Sequence, residues 1–93
     1  MKKWQQFKPW LNQHLDLPSD TLLEVPRITA IGQFHVYIEN HKGLILYTDQ
    51  KLVLKSDQGE IQITGQGFVI KMMLPEELLL EGQIESIQFI ETP

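Results

Sequence analysis

Cysteine is missing from this chain of 93 residues. Its absence excludes a disulfide framework, a thiolate nucleophile and any cysteine-held zinc or iron–sulfur site, and it suits a reducing compartment. Long apolar runs are missing too: no stretch approaches the roughly 20 apolar residues that cross a bilayer. The N-terminal lysines are followed by glutamines and Pro9, not by the apolar block of a secretory signal. Basic charge is scarce, with eight Lys and Arg against twelve Asp and Glu and a formal charge of −4. Residues 28–93 hold most of the imbalance, with four lysines and nine acids; residues 1–27 carry four basic and three acidic side chains. Without a basic cluster to neutralise phosphates, nucleic acid is not an expected partner.

What is present is extended structure. The length allows one domain with a modest core. Phe34, Val36 and Ile38 alternate with His35, Tyr37 and Glu39, the period of two of a half-buried strand. Asn40-His41-Lys42-Gly43 has turn formers at both ends and predicts a hairpin into Leu44-Ile45-Leu46-Tyr47. Leu52 and Leu54 alternate with Lys51, Val53 and Lys55, and Asp57-Gln58-Gly59 makes a second turn. Ile61 and Ile63 share one face of the cleanest alternation in the chain. Gly65-Gln66-Gly67 reads as another turn, leading into Phe68, Ile70 and Met72. Pro75-Glu76-Glu77 suits the first turn of a helix, but Gly82 follows too soon, so residues 77–81 read as a strand or a bent connection. In the last segment Ile84 falls on one face and Ile87 and Phe89 on the other; a bulge near Glu85-Ser86 would bring all three to one side.

The N-terminus differs. Trp4, Phe7, Leu11 and Leu15 recur at helical spacing, interrupted by Pro9. Residues 1–20 therefore read as an amphipathic helical segment and residues 21–93 as the β part of the same domain, with residues 21–25 as a first strand that Pro26 stops. The fold class predicted is mainly β: a small antiparallel sandwich, roll or barrel of short strands with a short N-terminal helix. A short β-solenoid is the competing architecture.

No constellation carries catalysis. His35 and Glu39 share a strand face but lie four residues, roughly 13 Å, apart, too far to hold one metal. His41 reads as a solvated turn residue. Ser19, Ser56 and Ser86 lack a nucleophile elbow, and Gly65-Gln66-Gly67 lacks the lysine and helix of a phosphate loop. Glu76, Glu77, Glu81, Glu85 and Glu91 read as a solvated acidic face. No catalytic, cofactor-binding or metal-ligating residue is expected. The segment with a functional reading is the first: Trp4, Phe7, Trp10 and Leu11 interleave with Lys2, Lys3 and Lys8. Such a mixture suits weak contact with a membrane surface, or the apolar residues cover an open end of the β core, the simpler use in so small a domain. Open sheet edges also make a homodimer an economical solution.

Several strings have a familiar look: Val25-Pro26-Arg27-Ile28-Thr29-Ala30-Ile31-Gly32, Tyr37-Ile38-Glu39-Asn40-His41-Lys42-Gly43, Gly59-Glu60-Ile61-Gln62-Ile63-Thr64-Gly65 and Glu81-Gly82-Gln83-Ile84-Glu85-Ser86-Ile87. Over nearly its whole length the chain resembles the YabP/YqfC family of endospore-forming bacteria. That resemblance implies a non-catalytic role supporting spore formation in the mother cell, in its cytoplasm or peripheral to a membrane, without a cofactor. It also implies a protein partner, of the membrane-embedded sporulation proteins whose genes neighbour those of the family. Arg27, His41 and Lys42 lie in the family-like strings and join Trp4, Phe7, Trp10 and Leu11 as candidate interaction residues. The rival is a small ligand-binding β domain or enzyme, which would need a pocket of several hundred cubic ångströms with convergent polar groups.

Overall fold

The computed structural model describes residues 25–92. The segment predicted as helical, and most of the strand predicted over residues 21–25, lie outside them. Val25 itself sits in a bend. The described residues form six strands: β1 (Arg27–Ile31), β2 (His35–Glu39), β3 (Gly43–Tyr47), β4 (Lys51–Ser56), β5 (Gly59–Met73) and β6 (Glu77–Glu91). All pair antiparallel in one sheet, in the order β1-β2-β6-β5-β4-β3. The mainly-β class holds. Two of the strands, however, are 15 residues long rather than short.

The long β5/β6 hairpin carries a different neighbour along each of its halves. β2 pairs with residues 77–81 of β6, while β4 pairs with residues 59–64 of β5. In a flat sheet β2 and β4 would be three strand spacings, about 14 Å, apart. Yet Val36 and Ile38 of β2 and Leu52 and Leu54 of β4 belong to one fully buried cluster, with Ile61, Ile63, Phe68, Leu78 and Leu80. The sheet therefore folds over on itself. A first half-sheet (β1, β2, the start of β6, the end of β5) faces a second (β3, β4, the start of β5, the end of β6).

Register shifts locate the bend. Thr64 opposes Ser86 and Gly65 opposes Ile84, which leaves Glu85 as an extra residue on β6. This is the bulge predicted near Glu85-Ser86. It brings Ile84 and Ile87 together against the core, and Phe89 to the same face through its pairing with Ile61. Between Gln66 and Val69 the extra residue lies on β5 instead, two residues there facing Gly82 alone. Gly65-Gln66-Gly67 is thus not a turn, as the sequence suggested, but a bend inside a continuous strand. The backbone donors of the bend find acceptors on two hairpin loops: Gly65 and Phe68 N–H donate to Gln50 and Asp49 carbonyls, and Gly82 and Ile84 N–H to Phe34 and Gln33 carbonyls. Residues 74–77 form the β5–β6 turn, closed by Leu74 N–H donating to the Glu77 carbonyl at 2.8 Å, and no helix starts there.

Asn40-His41-Lys42-Gly43 is also corrected. β2 and β3 are not paired, so the four residues form a crossover between the half-sheets and not a hairpin turn. His41 N–H donates to the Glu76 carbonyl at one end of the first half-sheet, and Lys42 N–H to the Lys55 carbonyl of β4 at 2.7 Å. Asn40 adopts φ 66° to make the departure from β2. Local turn chemistry is the same for a hairpin and a crossover; what differs is the distant partner of each strand.

The Phe68 ring fills the corner because two glycines make room for it. A Cβ on Gly65 would lie 1.9 Å from the Gln83 carbonyl oxygen and 2.8 Å from the ring; one on Gly82 would lie 2.6 Å from the ring. Gly82→Ala, which overpacks the corner, should cost about 2–3 kcal/mol in urea unfolding. Gly67→Ala, where a Cβ would meet open space and only the φ of 68° opposes it, should cost about 1 kcal/mol. Equal losses at the two positions would contradict the steric account of the bend.

Candidate functional site

Strand alternation sends Val36 and Ile38 into the core and His35, Tyr37 and Glu39 outward. The outward face of the first half-sheet gathers the molecule's polar chemistry. Arg27 lies directly opposite Glu39 in the β1–β2 register, and both its Nε and Nη2 approach Glu39 Oε1 at 2.7 Å. Tyr37 donates its hydroxyl hydrogen to the Glu77 carboxylate. Burial, the accepting Glu77 and the neighbouring negative charge of Glu39 push the Tyr37 phenol far above its ordinary range, so it stays protonated. Glu81 lies between His35 Nε2 at 3.4 Å and Lys71 Nζ at 3.7 Å. Arg27, His35, Tyr37 and Glu77 make further interactions beyond these.

His35 and Glu39 therefore point to different partners, in keeping with their spacing. Among the described residues no group of three or more His, Asp or Glu is placed to hold a metal. The ladder stitches strands together. Its phenol is locked in the neutral form, and its carboxylates face cations or a hydroxyl. Two of its neighbours break the expected pattern: Tyr37 and Leu79 are only 4% and 1% exposed although they face away from the core. Alternation alone does not signal that outward burial.

The crossover presents the second feature. His41 is completely buried, which corrects its reading as a solvated turn residue. Its Nδ1 accepts from the Gly43 N–H at 3.1 Å, so the ring proton sits on Nε2, a buried atom with no hydrogen-bond partner among the described residues. Burial lowers the His41 pKa, opposed by the backbone of Glu77 and the charge of Glu76. Lys42, next in the chain, is exposed. Of the other candidate interaction residues, Arg27 is half-buried in its pair with Glu39, while Trp4, Phe7, Trp10 and Leu11 lie outside the described residues.

Two surfaces were not singled out in the sequence. Among the described residues β3 closes one end of the sheet, with Leu44, Ile45, Leu46 and Tyr47 all exposed. A cleft of about 470 Å³ opens between the β4–β5 turn and the end of β6, lined by Val25, Pro26, Phe89 and Ile90 and by the acids Asp57, Glu60 and Glu91. Phe89 lies there 63% exposed on the core-facing side. A run of four apolar residues without charge was the available signal for the first; the second depends on where the bend aims β6.

Comparison with known proteins decides the family. The YabP family matches residues 24–93. The chain belongs to the YabP family. It is 45% identical over 87 residues, covering 94% of each chain, to the "Uncharacterized protein YqfC" of Bacillus subtilis (strain 168). No solved structure matches it. In this YabP-family fold, the string running from Tyr37 to Gly43 spans the end of β2 and the whole crossover, and Arg27-Ile28-Thr29 opens the edge strand β1. Among the described residues no helix is long and apolar enough to cross a membrane.

The buried His41 has a signature in pH. Its folded-state pKa lies below the ordinary value of about 6.5, so above that value the ring is neutral in both states and its contribution is fully present. As pH falls below about 6.5 the unfolded chain takes up the proton first, and stability drops by at most about 1.4 kcal/mol per pH unit until the folded pKa is reached. His41→Asn keeps an acceptor for Gly43 and removes the titration. Urea unfolding between pH 7 and 5 should show wild type losing more stability than this variant; parallel losses would remove His41 as the titrating group.

Proposed function

We propose that this YabP-family chain is a non-catalytic interaction module of endospore formation, acting in the mother cell and holding a membrane-associated protein partner by strand addition at β3. Membership of the YabP family and the likeness to YqfC support the sporulation setting. The observation that carries the binding mode is β3. Among the described residues it ends the sheet, leaving one side of its backbone without a strand neighbour there, and it exposes four consecutive apolar side chains between Lys42 and Asp49. An unpaired apolar edge is the template on which an extended peptide adds a strand, the backbone giving affinity and the alternate side chains specificity.

Ile45 refines the reading. The β3–β4 register skips it, so it forms a bulge, 52% exposed. A bulge twists an edge away from a flat symmetric match. That disfavours pairing with a second copy and favours a partner strand shaped to fit. The non-catalytic part of the reading is supported by the outward polar face, where carboxylates are paired and the phenol is fixed.

The test is a pull-down from sporulating cells with the membrane fraction retained, using tagged wild type and Ile45→Glu. Wild type should retain a membrane protein that the variant loses, with the melting temperature unchanged. Recovery of the same protein by both would overturn strand addition at β3. Light scattering that shows a dimer for wild type and a monomer for Ile45→Glu would reassign the edge to self-association. A deletion strain that forms spores at full efficiency would remove the sporulation role.

A further inference from the structure

We infer that the strand received by β3 is an acidic one: a segment of a partner protein with two carboxylates about four residues apart on one face and an apolar side chain between them. The inference rests on the strand-addition reading of this edge and names the chemistry of what it takes. Charge is its starting point. Residues 42–57, which hold β3, β4 and their flanks, carry three lysines and two aspartates. The remaining described residues carry two basic side chains, Arg27 and Lys71, against seven glutamates. The polarity of the chain is reversed around β3. Arg27 and Lys71 each have a carboxylate within ion-pair distance, whereas among the described residues Lys42, Lys51 and Lys55 have none. Glu60, opposite Lys55 in the β4–β5 register, lies on the side away from the edge and accepts from Gln62 Nε2 at 3.2 Å.

The register sets the spacing. Leu52 and Leu54 point into the core, so Lys51, Val53 and Lys55 face outward along β4. Lys51 and Lys55 stand roughly 13 Å apart, the rise of four strand residues. On β3 their opposite numbers are small: Lys55 pairs with Gly43, and the Lys51 carbonyl accepts from Thr48 N–H at 2.8 Å. A Cβ on Gly43 would meet nothing within 4 Å, so the way across β3 to its free side is open there. Leu46, paired with Val53, is the apolar floor between the two cations. An added strand would lie two strand spacings, roughly 10 Å, from β4, a gap that a lysine and a glutamate side chain span together. Lys42, exposed and tied by its N–H to the Lys55 carbonyl, adds charge at the same end. The same features oppose two other occupants. Lipid would suit the lysines and the apolar side chains, but hydrocarbon offers no partner to the free N–H and C=O groups of β3. A second copy paired antiparallel would set Lys42 and Lys55 of one chain near Lys51 of the other, like charge against like.

The test measures the fluorescence anisotropy of labelled synthetic peptides added to the full-length protein. The probe is Ile-Thr-Glu-Thr-Val-Thr-Glu-Thr-Ile, with a counterpart carrying Gln at both Glu positions. At low salt the glutamate peptide should bind about fivefold more tightly than the glutamine peptide, and the preference should fade near about 0.5 M salt. Lys51→Gln combined with Lys55→Gln, two substitutions on the outward face, should erase the preference and leave the glutamine peptide's affinity unchanged. Ile45→Glu should remove binding of the neutral glutamine peptide as well. Equal affinities of the two peptides for wild type, both lost in Ile45→Glu, would overturn the acidic partner and leave strand addition at β3 standing. Binding of the glutamine peptide that survives Ile45→Glu would overturn both. Failure of the glutamate peptide to bind, or sedimentation with phosphatidylglycerol vesicles that disappears in the double lysine variant, would also overturn the acidic strand, the second result assigning the lysines to a lipid surface.

Discussion

Everything in this fold hangs on one aromatic ring lying over two glycines. Phe68, almost fully buried, occupies the corner where β5 and β6 turn together, and Gly65 and Gly82 are small enough to let it in. A flat six-stranded sheet, two of its strands 15 residues long, would leave its apolar side in water. Folding the ribbon at Phe68 makes the sheet its own partner: Val36, Ile38, Leu78 and Leu80 meet Leu52, Leu54, Ile61 and Ile63. Bending a pair of strands frees backbone donors, and the β1–β2 and β3–β4 loops supply the carbonyls that satisfy them. The corner and the loops depend on each other.

The folded sheet is also tied together by its polar side chains. Its ionisable groups are used to tie neighbours: Arg27 to Glu39 across β1 and β2, Tyr37 to Glu77 and His35 to Glu81 across β2 and β6. These pairs run along the row of strands that the fold brings together from distant parts of the sequence. Arg27 and Lys71 each lie against a carboxylate, which offsets part of the self-repulsion of an acidic chain. Two exposed apolar surfaces, the β3 edge and the mouth of the cleft at Phe89, lie on the second half-sheet, away from this ladder.

Much of the core was legible in the sequence, because burial on one side of a strand imposes a period of two that Leu52 and Leu54, Ile61 and Ile63, and Val36 and Ile38 obey. The phase change between Ile84 and Ile87 was legible for the same reason, since a bulge is the least disruptive way to put both on the core. What could not be read depends on distant partners. Gly65-Gln66-Gly67 has the same composition whether it reverses the chain or bends it, and the choice is made by Phe68 and β6. Asn40-His41-Lys42-Gly43 has hairpin chemistry, but β2 is held by β6, some 40 residues further on, so the chain must cross instead. The burial of His41 follows from that crossing. The family-like strings gave Arg27, His41 and Lys42 equal standing; the fold gives them three different environments: an ion pair, the interior and open solvent.

The pairing of β2 with β6 also bears on the order of events when the chain folds. β3 to β6 follow one another as neighbours, and β1 and β2 form a hairpin of their own, so both units close through short loops. Joining them requires contacts such as His35 with Glu81, 46 positions apart, and the entropy of that closure must be met before any of its contacts are made. The β1–β2 hairpin thus arrives on a meander already built, and the crossover at His41 closes last, a sequence that pulsed hydrogen exchange would read as later protection in β2 than in β4. During that interval the exposed side of β6 is an unpaired strand in a crowded cell, and its first half gains a lasting neighbour only when β2 docks.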